Sequence, residues 1–207
     1  MTFFKGDDTT LKDNFITLLH LITNLEIDGR FILGVDGLSR SGKTTLVKKL
    51  SEAVKEKNIP FYVFHIDDHI VERKKRYNTG HEEWYEYYHL QWDINWLRDH
   101  FFDKLRFSND LILPFYDNES DTQSIKNIKL PNTCVILIEG VFLQRKEWRS
   151  FYDSVVYLDC PRDKRFLREN EHTQQNISKF QNRYWKAEEF YIDTEFPTKI
   201  ADLVLQG

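Results

Sequence analysis

Eight consecutive residues, Gly37-Leu-Ser-Arg-Ser-Gly42-Lys43-Thr44, carry the clearest chemical signal in the chain. They satisfy the pattern G-x-x-x-x-G-K-[ST] at every defined position. Glycines at the two ends let successive backbone N–H groups curl around phosphate oxygens, and a helix starting at the lysine adds positive potential. The predicted cradle comprises Gly37, Ser39, Arg40, Ser41, Gly42, Lys43, Thr44 and Thr45. In such a loop Lys43 reaches the outer phosphates and the Thr44 hydroxyl ligates Mg²⁺. Chance occurrence at a glycine turn is the plain alternative. The flanks argue against it, because an apolar run precedes the loop and an amphipathic one follows.

Acids close three further apolar runs: Asp67-Asp68 after PFYVFHI, Glu139 after TCVILI and Asp159 after SVVYL. Ligands of open parallel sheets bind at the carboxyl ends of the strands. Asp67 and Glu139 are therefore candidates for the same site as the loop, although strands commonly end in polar residues. Glycine usage agrees: four of the eight glycines (Gly29, Gly34, Gly37, Gly42) lie within fourteen residues.

The elements that must position these groups follow from periodicity. Apolar spacing predicts a helix over 10–27, with Thr10 as its N-cap. Strands are predicted at Phe31–Val35, Pro60–Ile66, Thr133–Ile138, Ser154–Leu158 and Ala201–Leu205. Helices are predicted over Lys43–Lys57, most of 81–106 and 162–192. Residues 108–132 read as loop with a small hairpin. Strands alternating with helices imply an α/β domain with a parallel sheet of about five strands flanked by helices. With 207 residues, 41% hydrophobic and 30% charged, the chain suits one domain with a real core.

Composition narrows the remaining classes. A net charge of −4 disfavours nucleic acid as partner. No apolar run is long enough for a membrane span and no secretory leader is evident, so a cytoplasmic protein is expected. Cys134 and Cys160 then read as reduced core residues. N-K-x-D and D-x-x-G are absent, as are G-x-G-x-x-G, H-R-D and D-F-G, which argues against GTPases, dinucleotide enzymes and protein kinases. Two readings stay open: a kinase acting on a small molecule, and a regulatory module that only binds nucleotide.

The stretches GVDGLSRSGKTT (34–45), HIDDHI (65–70), LPFYD (113–117), ILIEGVFL (136–143) and YLDCPRDKRFLRE (157–169) together resemble the uridine kinase and phosphoribulokinase-like family, which also includes nicotinamide riboside and pantothenate kinases. The resemblance covers about residues 31–205. It implies a single P-loop kinase domain with a helical lid near 160–175, using ATP and Mg²⁺ to phosphorylate a hydroxyl of a nucleoside-like acceptor. By resemblance, Asp67 is the catalytic carboxylate, with Asp68 as the substitute or an outer Mg²⁺ partner. Glu139 lies near Mg²⁺ or the acceptor. Arg162, Arg165 and Arg168 are the lid arginines that face the phosphates. Tyr116 frames the acceptor.

Two departures bear on the acceptor. Residues 118–123 are Asn-Glu-Ser-Asp-Thr-Gln, where uridine kinases carry a His and an Arg. Residues 81–93 are rich in aromatics where those enzymes carry an Asp-Pro pattern. From the residues themselves, Trp84, Tyr85, Tyr88 and Trp92 are candidates to stack a flat ring. The basic run Arg73, Lys74, Lys75 and Arg76 is a candidate to meet an anionic acceptor or to close over phosphate, against the commoner reading of a solvated surface.

Overall fold

The computed structural model describes residues 5–26 and 28–207. Positions 1–4 and 27, the latter the last residue of the expected helix 10–27, lie outside the described residues. Helix α1 spans Lys5–Thr23, so Thr10 sits within the helix rather than capping it. Leu18 and Ile22 of α1 are fully buried against the sheet layer.

Five strands form one parallel sheet: β1 (Arg30–Asp36), β2 (Phe61–His65), β5 (Cys134–Gly140), β6 (Ser154–Asp159) and β7 (Leu203–Gln206), in the order β2-β5-β1-β6-β7. The alternation of side chains divides the core between the two faces. Leu33, Val35, Val135 and Leu137 face α1 and helix α2 (Lys43–Glu56). Ile32, Ile136 and Ile138 face a second core rich in aromatic rings. Register sets the level of the site, for both His65 and Val35 lie opposite Glu139 in the ladder.

Short helices follow β2 and β6: α3 (Arg73–Arg76), α4 (Glu83–His89), α5 (Ile94–Leu97), α6 (Arg162–Leu167), α7 (Glu171–Gln174), α8 (Ile177–Lys179), α9 (Lys186–Glu195) and α10 (Pro197–Ile200); of these, α4, α5 and α9 pack into the second core through Tyr88, Leu97, Ala187 and Tyr191. Two of the long expected helices are thus broken, and wide turns of π type continue them at Arg98–Phe102 and Phe180–Trp185.

Residues 108–132 differ from expectation. They form a full antiparallel hairpin, β3 (Asp110–Asp117) and β4 (Thr122–Lys129), paired along eight residues each. Leu111 and Leu113 point into the core, whereas β4 is mostly exposed and polar, so its composition masked a strand. Buried Arg30 anchors the hairpin base. Its guanidinium donates to the carbonyls of Leu105 (2.8 Å), Ser108 (2.6 Å) and Pro131 (2.9 Å) and to Asn109 Oδ1 (2.6 Å). Cys134 and Cys160 are buried and carry no disulfide. Among the described residues no helix is long and apolar enough to cross a membrane.

Candidate active site

The turn from β1 into α2 is built as the glycine spacing requires. Gly42 has φ 104°, a left-handed conformation that side chains other than glycine rarely adopt. A Cβ on Gly37 would lie 2.7 Å from the Leu158 carbonyl oxygen, so only glycine fits beside β6. Directly before the loop, Asp36 is fully buried. It accepts hydrogen bonds from Tyr191 Oη, Gln144 Nε2 (2.9 Å) and the Leu143 N–H (3.3 Å). Burial pushes its carboxyl upward, against the pull of these donors. Nothing but its place before Gly37 signalled this network in the sequence.

No side chain caps α2 and no acid lies in its first turn. Its leading N–H groups, which have no partner within a helix, thus face outward without competition. Lys43 is buried, and its Nζ donates to the carbonyls of Gly37 (2.8 Å) and Leu38 (2.9 Å). Burial lowers its pKa, while Glu139, Asp36 and Asp67 oppose the shift. This arrangement fits a bound phosphate chain: a bare helix start, a lysine and a left-handed glycine.

The acids at the strand ends meet the loop. Thr44 Oγ1 donates to Glu139 Oε1 (3.1 Å), and His65 Nδ1 lies 2.6 Å from the same oxygen. Burial alone would raise the Glu139 carboxyl. The hydrogen bond from His65 and the charge of Lys43 outweigh it and hold the group below its usual range. Hydroxyl and carboxylate oxygens are the donors that Mg²⁺ prefers, with substrate phosphates and water completing its shell. Among the described residues no three acidic, His or Cys groups form a ready-made metal cage.

Asp67 opens into the same cleft from a single 3₁₀ turn, Ile66–His69. Solvent in the cleft reaches it, yet protein walls enclose it. Burial, then the negative charge of Glu139, push its pKa up to about 6, against the charge of Lys43. The turn is braced from both sides: Trp92 Nε1 donates to the Ile66 carbonyl (2.9 Å), and Ile66 packs on Gly140. A Cβ at Gly140 would approach Ile66 Cγ2 to 2.1 Å. Gly140→Ala is therefore expected to cost about 1–3 kcal/mol of stability by overpacking. It should lower turnover as well by shifting Asp67. Urea unfolding and a rate assay on the same preparation check both effects.

The cleft has a volume of about 780 Å³ and runs from the loop past Asp67 to the helices after β6. Arg162, Arg165 and Arg168 all line it, but each is engaged. Arg162 pairs with Glu189 (2.7 Å) and lies over the Trp185 ring. Arg165 is buried in a two-pronged pair with Glu188 (2.8 and 2.9 Å) and also donates to the Ser39 carbonyl (3.0 Å). Arg168 donates to the Arg40 carbonyl (2.8 Å), and Arg40 pairs with Glu169 through two bonds of 2.9 Å.

The structure brings Ser39, Arg40, Gly42, Lys43, Thr44, Thr45, Asp67, Glu139 and the three arginines to one cleft. Gly37 and Ser41 support the loop from beneath, Ser41 being buried. Asp68, Arg73, Trp84, Tyr88 and Tyr116 do not line the cleft. Tyr88 is core, under the Arg145 guanidinium, and Trp84 packs on Phe190. Tyr116 Oη accepts from Arg76 (2.9 Å) and donates to Asp121 (2.9 Å). Arg73 holds Asn118 at the hairpin turn. In their place the cleft presents Tyr87, Gln91 and Tyr184, with the rings of Tyr87 and Tyr184 edge to face at 5.0 Å. The expectation named Tyr88 of this segment, but helical phase turns Tyr87 and not Tyr88 toward the cleft.

Comparison with known proteins agrees with this geometry. A family model described as the Phosphoribulokinase / Uridine kinase family matches residues 32–172. The uridine kinase of Borrelia duttonii (strain Ly) is 31% identical over 147 residues, covering 66% of this chain and 64% of that protein. That of Limosilactobacillus reuteri is 30% identical over 143 residues, covering 66% of this chain and 62% of that protein. The match thus spans less than two thirds of the length of these relatives. A solved structure described as a possible uridine kinase from Bacillus stearothermophilus is 54% identical, covers 94% of this chain and 98% of its own, and superposes with a TM-score of 0.84. By the family match and these relatives, the chain belongs to the phosphoribulokinase / uridine kinase family.

Proposed function

We propose that the protein is a single-domain kinase that transfers the γ-phosphoryl group of ATP to a hydroxyl of a nucleoside or nucleoside-like compound. The observation that carries this reading is the placement of Asp67, an acid poised near neutrality, in the same cleft as the phosphate loop and Glu139. A binding module needs only the loop.

In this reading the backbone of residues 37–44 and Lys43 hold the phosphates, and Thr44 and Glu139 hold Mg²⁺. When bound, the ion screens charge on the transferring group. Asp67 takes the proton of the acceptor hydroxyl as its oxygen bonds to phosphorus, while the bond from that phosphorus to the bridging oxygen breaks and ADP leaves. Arg162 and Arg168, set on the helical segment near 160–175 that would act as lid, neutralise the moving charge. Arg165 reaches the loop through the Ser39 carbonyl and holds the lid to it. Tyr87 and Tyr184 offer ring faces and edges to a flat acceptor.

The test is transfer of γ-radiolabel from MgATP across a panel of nucleosides, nicotinamide riboside and pantothenate. Label in a nucleoside-like acceptor supports the reading. Stabilisation by nucleotide with no labelled product overturns it in favour of a regulatory binder. Lys43→Ala is expected to abolish transfer. It should also remove most of the thermal stabilisation by nucleotide, about 2.7 kcal/mol for the wild type at a hundredfold excess over Kd. A thermal shift series in ATP measures the loss.

A further inference from the structure

We infer that His65 is a positioning residue that presents Glu139 to the cation as a one-oxygen ligand; this rests on the phosphotransferase reading above. His65 is the last residue of β2 and stands directly opposite Glu139 in the parallel ladder, so the backbone itself brings the two side chains abreast. A carboxylate such as that of Glu139 can only accept. The hydrogen in the 2.6 Å contact is therefore assigned to His65 Nδ1. Thr44 places its own hydroxyl hydrogen on the same oxygen, Oε1, at 3.1 Å.

Two consequences follow from this sharing. Oε1 is saturated by two donors, which fixes the carboxylate plane and leaves Oε2 as the oxygen with open lone pairs. The Thr44 hydroxyl, having spent its hydrogen on Glu139, has only lone pairs left to turn toward a cation. His65 does not line the cleft. It acts through Glu139, as partners of metal-binding carboxylates do elsewhere. The sequence marks the device as His-x-Asp at a strand end, with the imidazole serving the metal-side carboxylate and Asp67 serving the acceptor.

The experiment reads cation binding directly. Mn²⁺, standing in for Mg²⁺, is titrated by electron paramagnetic resonance into protein loaded with a non-hydrolysable ATP analogue. Affinity for the metal-free analogue in chelator is measured in parallel. His65→Ala is expected to weaken Mn²⁺ binding roughly 10–100-fold, with metal-free nucleotide affinity unchanged. His65→Asn should return most of the loss, because its amide nitrogen lies where Nδ1 lay. Unchanged Mn²⁺ affinity in His65→Ala overturns the inference, as does an asparagine variant no better than alanine. Equal weakening of metal-free nucleotide binding overturns it too, since the loop itself would then have been disturbed. If the wild type binds no Mn²⁺–nucleotide at all, the phosphotransferase reading falls and takes this inference with it.

Discussion

Asp67→Asn is expected to lower phosphoryl transfer by roughly 10²–10⁴-fold, the range for loss of a positioned general base, with nucleotide affinity little changed. Asparagine keeps the volume and the polarity but cannot take a proton. The same residue sets the pH dependence. Its pKa is raised to about 6, chiefly by burial and next by the charge of Glu139. The ionised form is the working one, so kcat/KM, which reports the free enzyme, should be level above that value. It should fall about tenfold per unit as pH drops below it. In the asparagine variant this acid limb should vanish. A variant that keeps wild-type turnover, or a profile with no inflection near 6, would remove Asp67 from the mechanism.

Breaking the Arg165–Glu188 pair should have the largest effect on stability. Both partners are buried, the pair is made by two short bonds, and Arg165 holds the Cys160 and Ser39 carbonyls as well. Arg165→Ala leaves Glu188 without its partner at a buried position in the cleft wall, where burial already pushes its pKa up. The expected cost is about 3–5 kcal/mol, read as a lower urea midpoint at an unchanged slope. Replacing both partners at once, Arg165→Met with Glu188→Leu, should cost far less, since no orphan charge remains. If the single and double variants unfold alike, the ionic bond is not what holds this region.

Much of this architecture was legible in the residues. The loop, the strand-end acids and the parallel sheet each have a short-range signature: glycine spacing, an apolar run, a terminal carboxylate. Two kinds of feature were not. The hairpin strand β4 is exposed and polar, so no apolar run marked it, and its pairing depends on β3 alone. The walls of the cleft depend on helical phase and on distant partners. Tyr87 and Tyr88 are neighbours in sequence, yet one faces the cleft and the other lies beneath Arg145. The resemblance set Arg165 among the lid arginines facing the phosphates, but Glu188, 23 residues on, takes its charge. Long-range pairing of this kind leaves no local pattern.

Trp185 stands in the cleft wall with the Arg162 guanidinium 5.1 Å from its ring centre. Among the described residues it is the one tryptophan lining that cleft, the others being packed elsewhere. The chain therefore carries its own optical reporter. Any ligand that draws Arg162 off the indole should change the intrinsic emission, and closure could be timed in a stopped-flow instrument with no dye attached.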